Sequence, residues 1–450
     1  MNREKLTPQI KTIPPGVKSR KWTEYHMKDA AEGIYFHDVV WDRSKPAAGP
    51  FFSDPDGNII LDFSSHGAAF PLGYNNQELI ETAKKAAQVA PQKCGAEIVP
   101  AWGEDPEKID IPMPSHLIRK ISSLTQKFGL DKVFLSNSGS EAIENALKVS
   151  YDYRRNMGIG ICFERAFHGR TLGAASLTRS RRTQRSWYPH INEIIALPFC
   201  SCKDECRCGW MVDTKTHKGV MSRLAELLDP EIGVIDPEQI AYIIVEAIQG
   251  EGGYNIPGSG FLEEIASLAK KYQIPLIVDE IQSGLGRTGK WFAFEHFGIE
   301  PDVISLGKTL CVGATVASTK LFPKEQGRLG GTWGGADVVS AAVGYQVLNI
   351  IERENLLDNA QRIGSYLLNE LKGLGSKYKF LWNARGLGLM VAISVDGEGK
   401  VSQLVKESLK RGLLIFSCGN ASIRFMPPLD VNKREADLAL EILDKALAKV

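Results

Sequence analysis

Asp302-Val303-Ile304-Ser305-Leu306-Gly307-Lys308 is a short apolar run closed by a glycine and a lysine. Upstream, Ile274-Pro275-Leu276-Ile277-Val278 is a second apolar run, closed by Asp279 and Glu280. Each reads as a short strand buried on both faces, with a charged residue just past its end. Further runs of this kind lie at 132–135, 159–163, 191–197 and 241–245. Between about 115 and 330 they alternate with helical patterns, which predicts an α/β class: a large domain with a mainly parallel sheet flanked by helices. In open sheets of this sort, ligands sit beyond the strand ends.

On either side of that region the pattern changes. Residues 1–50 are rich in proline and charge and read as a surface wrap. Asp56-Gly57-Asn58 marks a turn before a short strand at 59–63. Residues 336–371 read as one long helix. After Arg385-Gly386-Leu387-Gly388, a strand at 389–395 opens a smaller α+β unit that ends in a helix at 433–448. The expected division is 1–65 as an N-terminal segment joining the small domain, 66–345 as the large domain, and 346–450 as the C-terminal small domain.

The net charge of +1 gives no field for a polyanion, so no nucleic-acid partner is expected. No apolar stretch approaches the roughly 18–20 residues that span a bilayer, so no membrane partner is expected either. Residues 1–22 carry no apolar signal segment, and the expected location is cytoplasmic.

An acid and a lysine at neighbouring strand ends suit pyridoxal phosphate. The lysine binds the cofactor as a Schiff base, and the acid keeps the ring nitrogen protonated, so the ring becomes an electron sink. Asn137-Ser138-Gly139-Ser140-Glu141-Ala142 supplies a third element. It follows a strand and opens a helix whose buried face carries Ile143, Ala146 and Leu147. Ser138 and Glu141 have capping-box spacing. Alone, this is also what an ordinary capped helix start looks like. Together with Asp279 and Lys308 it reads as a phosphate site, because a helix N-terminus offers free N–H groups and a positive dipole end.

The chain resembles the class III (ω-type) pyridoxal-phosphate aminotransferases over nearly its whole length. The segments that carry the resemblance, in order, are Ser138-Gly139-Ser140-Glu141-Ala142, Phe167-His168-Gly169-Arg170-Thr171, Gln249-Gly250-Glu251-Gly252-Gly253, the run from Asp279 to Gly289, Gly307-Lys308, Gly331-Thr332-Trp333-Gly334-Gly335, and Ile423-Arg424-Phe425-Met426-Pro427-Pro428. The resemblance implies a fold-type I architecture, with a mainly parallel seven-stranded-type sheet in the large domain and a small α+β domain, and a homodimer with active sites at the subunit interface, or a tetramer of such dimers. It also implies a role for each matching residue. Lys308 is the Schiff-base lysine and proton shuttle, and Asp279 pairs with the pyridine nitrogen. Gln282 contacts the ring hydroxyl. Ile281 and Phe167 sandwich the ring, with His168 hydrogen-bonding behind it. Ser138, Gly139 and Ser140 bind the phosphate, and Thr332 binds the phosphate of the neighbouring subunit. Arg170 takes a distal substrate carboxylate. Arg424 takes an α-carboxylate, with Glu251 as a partner that neutralises it when an ω-amine occupies the site. Taken one at a time, these residues are also ordinary loop, cap, ion-pair and core positions. Their coincidence is what carries the reading.

The expected reaction is ping-pong transamination. An ω-amino acid donates its amine and leaves as a semialdehyde, and 2-oxoglutarate accepts the amine and leaves as glutamate. Phe70-Pro71-Leu72-Gly73-Tyr74 resembles 4-aminobutyrate aminotransferases. Thr332-Trp333-Gly334-Gly335 and Glu144-Asn145-Ala146-Leu147-Lys148 are closer to lysine 6-aminotransferases. 4-Aminobutyrate is therefore the first expected donor, with lysine and ornithine next. Gly67, where relatives commonly carry a larger residue, opens room beside the substrate chain. The alternative is an amino-acid racemase of the same class, which would use the same lysine and electron sink.

Four of the eight cysteines cluster in Cys200-Ser201-Cys202-Lys203-Asp204-Glu205-Cys206-Arg207-Cys208. No metal is expected in the catalytic chemistry. The cluster itself leaves three readings open: a tetrathiolate metal site, paired disulfides, or an unligated surface loop. The C-x-C-x3-C-x-C spacing departs from the usual C-x2-C knuckle and counts against the metal.

Overall fold

Six of the seven strands in the central sheet run parallel. The structure is a computed structural model that describes residues 3–33, 39–93, 98–155, 158–191, 193–214, 219–331, 333, 335 and 337–450. The strands are β1 (Lys132–Ser136), β2 (Ile159–Phe163), β3 (Ile194–Leu197), β4 (Ile240–Glu246), β5 (Leu276–Asp279), β6 (Val303–Leu306) and β7 (Gly313–Ala317). Their order across the sheet is β1-β7-β6-β5-β4-β2-β3, and only β7 is antiparallel to its neighbours. Every residue of β4, β5, β6 and β7 is buried. That explains why the central strands read as unbroken apolar runs rather than alternating ones.

The helix Gly139–Arg154 lays Ile143, Ala146, Leu147 and Val149 into a core shared with Tyr242, Ile244, Ile277 and Val303. Burying one such aliphatic side chain contributes about 1.5–3 kcal/mol, so this face fixes the helix on the sheet. Its N-terminus therefore has a defined position beside the strand ends.

The chain divides into two compact units, residues 81–354 and residues 1–80 with 355–450. The central sheet belongs to the first. In the second, an antiparallel sheet runs in the order Leu381–Leu387, Met390–Val395, Ser422–Phe425, Phe416–Cys418. A separate three-stranded sheet joins distant parts of the chain: Ile59–Asp62 pairs with Phe51–Ser53 and, in parallel, with Leu413–Leu414. Arg3 adds a further tie, bonding Glu435 at 2.7 Å and also Asp430.

One local expectation needs correction, and two strands went unread in the sequence. The long helix at 336–371 is two helices, Val338–Arg353 and Leu356–Lys377. Asn355, at φ 51°, breaks them, because asparagine tolerates the left-handed region better than most residues. β7 was not foreseen, since Gly-Ala-Thr-Val-Ala has little apolar bulk. Leu381–Leu387 was also missed as the hairpin partner of Met390–Val395. No helix among the described residues is long and apolar enough to cross a membrane.

Candidate active site

Parallel pairing aligns the ends of three strands. Glu246 of β4 lies in register with Asp279 of β5, and Asp279 lies in register with Ser305 of β6. Lys308 follows β6 after Gly307 and has φ 44°, a backbone conformation uncommon for a side-chain-bearing residue. The acid and the lysine thus leave the same edge of the sheet from adjacent strands.

Asp279 is buried, and both of its oxygens are held. Oδ2 lies 2.8 Å from His168 Nδ1, and Oδ1 accepts the Ile281 N–H at 3.0 Å. A proton on His168 Nδ1 makes this a charge-assisted bond that keeps Asp279 an acceptor.

Three glycine-dependent approaches bring the remaining parts together. A Cβ on Gly139 would come within 3.0–3.3 Å of Ile281. A Cβ on Gly307 would lie 3.2 Å from Ile281 and 3.3 Å from the Gly139 backbone. One on Gly313 would fall 2.1 Å from the Ser138 carbonyl oxygen. The helix-opening turn, the residue expected under the ring and the approach to Lys308 therefore meet with no room for side chains. Ser138 caps the helix through the Glu141 N–H at 3.3 Å, while the Glu141 carboxylate turns back to the Asn137 N–H at 3.0 Å. The first-turn N–H groups of such a helix have no acceptors within it and are suited to phosphate.

The segment Phe167–Arg170 is held by its backbone. Phe167 N–H donates to Glu246 at 2.8 Å, His168 N–H to Thr178 Oγ1 at 3.1 Å, and Arg170 N–H to Ser140 Oγ at 3.1 Å. Three side chains from different elements thus fix the loop that carries Phe167 and Arg170. The Arg170 side chain is exposed. Glu246 also accepts the Gly250 N–H at 2.7 Å, so it joins two loops. Burial pushes Glu246 up to about 7; His168 opposes that rise and the Asp279 charge adds to it. Burial likewise raises Glu280 to about 7, against the hydrogen bonds it accepts from Ser283 Oγ and the Phe294 N–H.

Gln282 lies against Gly250, where an added Cβ would fall 2.3 Å from its Oε1. Glu251, the next residue, forms an ion pair with Arg181 at 3.2 Å. Arg424 belongs to the other unit, on the buried strand Ser422–Phe425, opposite Ala392 and Phe416. Thr332 lies outside the described residues. His66 is also in the other unit: its Nε2 lies 3.0 Å from the Tyr74 hydroxyl, which donates to Asp62, and its ring stacks on Phe70. A side chain on Gly67 would meet nothing within 4 Å, although its φ of 73° disfavours one.

Sequence reasoning left Glu246, Thr178 and Arg181 without roles. For Glu246 a signal existed: it closes β4 as Asp279 closes β5. For Thr178 and Arg181 there was none, because their contacts depend on the tertiary path of the chain.

The arrangement fits pyridoxal phosphate. It offers a phosphate-suited helix start, a buried carboxylate for a ring nitrogen, and a lysine from the adjacent strand. Comparison with known proteins agrees. The sequence profile of the family described as Aminotransferase class-III matches residues 37–447. An alanine/serine racemase from Pyrococcus horikoshii is 29% identical, over 98% of this chain and 92% of its own. An acetylornithine aminotransferase from Archaeoglobus fulgidus is 31% identical, over 94% of this chain and 99% of its own. The solved ornithine aminotransferase of Toxoplasma gondii superposes with a TM-score of 0.76 at 25% identity, covering 96% of this chain and 94% of its own. With a family match running almost from end to end, and a relative above 30% identity spanning nearly as much, the protein belongs to the class III aminotransferases and takes pyridoxal phosphate as its cofactor.

Proposed function

We propose that this enzyme transfers the terminal amine of an ω-amino acid to 2-oxoglutarate, with 4-aminobutyrate as first donor and lysine or ornithine next. The observation that carries the catalytic assignment is the shared register of Glu246, Asp279 and Ser305, which sends Asp279 and Lys308 off the same sheet edge. Pyridoxal phosphate, when bound, supplies the electron sink that lets the amine-bearing carbon of a substrate lose a proton.

The residues of the chain do the rest. Asp279, oriented by His168, holds the proton on the ring nitrogen. Gly139 and Ser140 bind the phosphate through their N–H groups, Ser138 holds their turn, and Thr332 is assigned the phosphate of the partner subunit in a homodimer. Gln282 contacts the ring hydroxyl, and Phe167 and Ile281 hold the ring plane between them. Lys308 Nζ takes the proton from the substrate carbon and returns it to the carbon that receives the amine. Arg170 holds the carboxylate at the far end of an ω-amino acid. Arg424 takes the α-carboxylate of glutamate, and Glu251 cancels that charge when an ω-amine is bound. A guanidinium that grips a carboxylate through two parallel hydrogen bonds suits both arginine roles. Within its own unit Glu251 also pairs with Arg181, at 3.2 Å.

The names of the acetylornithine and ornithine aminotransferases among the relatives support an amine remote from the α-carbon. A second reading, racemisation of a small α-amino acid, is supported by the Pyrococcus horikoshii enzyme, which matches 98% of this chain. One experiment separates them. The holoenzyme is mixed with 4-aminobutyrate, lysine or ornithine in the absence of a keto acid, and its cofactor absorbance is followed. Conversion to the pyridoxamine form by one donor, reversed by 2-oxoglutarate, supports transamination and names the donor. No conversion by any ω-amine, together with loss of chirality in L-alanine or L-serine, sinks it in favour of racemisation.

A further inference from the structure

The loop after β3 brings four sulfurs to one point. The Sγ atoms of Cys200, Cys202, Cys206 and Cys208 all lie within 4.8 Å of one another. Two of the separations are 3.9 Å (Cys200 to Cys206) and 3.5 Å (Cys206 to Cys208). With metal–sulfur bonds of about 2.3 Å, the edge of a tetrahedral zinc–thiolate site is about 3.8 Å. The observed spacing is therefore that of a cage needing little adjustment. The C-x-C-x3-C-x-C pattern, which counts against tetrahedral closure in the sequence, is no obstacle once the loop doubles back on itself.

Mutual convergence also discriminates between the readings. Two disulfides require two close pairs, and nothing in that arrangement draws the pairs toward a common centre. None of the four forms a disulfide in the structure. An unligated loop requires no convergence at all. A single central ion requires all of it.

A second observation concerns the shell around the sulfurs. Backbone N–H groups are directed at them: that of Cys202 at Cys200, those of Met211 and Cys208 at Cys206, and that of Trp210 at Cys208. Four thiolates around a divalent cation carry a net charge of minus two. Outer N–H donors of this kind offset that charge and orient the ligands.

The loop is also seated on a firm base. Cys200 accepts the Gly258 N–H at 2.9 Å through its carbonyl. Gly258 sits so close to the loop that a Cβ there would fall 2.3 Å from the Cys202 carbonyl oxygen. Trp210 packs its ring 4.8 Å from that of Phe261 and donates to Glu264 at 3.3 Å.

We propose that Cys200, Cys202, Cys206 and Cys208 form a closed, structural tetrathiolate site for Zn2+, separate from the catalytic residues. Each thiol gives up its proton as it binds, and no electron transfer is involved. With all four positions taken by protein ligands, the ion has no open position for substrate and serves to pin residues 200–208 to the segment at Gly258–Phe261.

The test is the metal content of the holoenzyme purified under reducing conditions from zinc-replete cells. The expected result is about one zinc ion per chain, and less than about a tenth of that in a Cys202→Ser/Cys206→Ser double variant. The wild-type protein, exchanged with Co2+, is expected to show the intense visible bands of tetrahedral cobalt with sulfur ligands, a readout that needs no variant. The double variant is expected to unfold at a lower temperature while keeping its bound cofactor. Wild-type protein that carries no zinc and gives no such cobalt bands overturns the proposal. So does an intact mass showing two disulfides, and so does stoichiometric iron in place of zinc.

Discussion

His168 Nδ1 and Asp279 Oδ2 lie 2.8 Å apart, with both side chains buried. The pair gives Asp279 a fixed direction, which adds a smaller share to what its charge supplies. Asp279→Asn is expected to lower kcat by roughly 10²–10⁴-fold, since an amide cannot hold the ring nitrogen protonated. His168→Asn keeps the carboxylate but removes the imidazole from Oδ2, leaving the Ile281 N–H on Oδ1 as its other anchor, and a loss of about 10-fold is expected. Single-turnover rates of amine transfer, measured on variants shown to retain cofactor, check both. Equal losses would mean that His168 does more than orient.

Lys308→Ala is expected to abolish covalent attachment of the cofactor. Borohydride reduction of the wild-type holoenzyme should fix the cofactor mass to the peptide containing Lys308, and the variant should show no such adduct. An adduct on another lysine would remove Lys308 from its assigned role.

Glu246 is the acceptor for two loop N–H groups, those of Phe167 and Gly250. Glu246→Ala leaves both donors, one buried and one half-buried, without that acceptor, at an expected cost of about 3 kcal/mol in unfolding free energy. Glu246→Gln retains an oxygen and should lose less. Cofactor affinity should follow the same order, because Phe167 loses its anchor. Denaturant unfolding and cofactor titration read the two effects separately.

Glu280 makes stability depend on pH in a direction opposite to the usual carboxylate. Its pKa rises on folding from 4.5 to about 7, because burial disfavours the charge. Between those values the folded state keeps a proton that the unfolded state has lost. Stability therefore falls as pH rises from about 4.5 to about 7, and levels off above that. Glu280→Gln is expected to remove its share of this loss of stability, on the order of 3 kcal/mol. Glu246, shifted the same way, keeps the remainder. Unfolding midpoints at a series of pH values decide the point, and an unchanged slope in the variant would reject it.

Gly313→Ala sets a Cβ against the Ser138 carbonyl oxygen, a backbone atom that cannot step aside. A loss of about 1–3 kcal/mol is expected, with weaker cofactor binding as the Ser138–Ser140 turn shifts. Gly373→Ala is the matched control. That glycine lies within the helix Leu356–Lys377, and an added Cβ would meet nothing within 4 Å. It should gain roughly 0.5–1 kcal/mol from helix propensity.

Much of this molecule is legible in its sequence, for a physical reason. β4, β5 and β6 are buried on both faces, so their apolar runs are uninterrupted and their charged ends stand out. Asp279 and Lys308 could be picked out on that basis alone. β7 escaped because it is built of small residues, and the break at Asn355 escaped because one left-handed residue leaves helical periodicity nearly intact. Glu246, Thr178 and Arg181 bind partners dozens of residues or a full loop away, and no local pattern encodes such pairings. The thiol cluster is the reverse case. Its spacing counts against the convergence of four sulfurs that the path of the chain produces.

The pairing of Leu61 with Leu413 has a bearing on how the polypeptide is made. Residues 81–354 are contiguous, so that unit leaves the ribosome entire and can fold while synthesis continues. The strand at Ile59–Asp62 emerges earlier yet must wait for more than three hundred further residues before its parallel partner arrives. During that interval its Leu61-facing edge is open, and chaperone engagement of the nascent chain should concentrate there rather than on the cofactor-binding sheet.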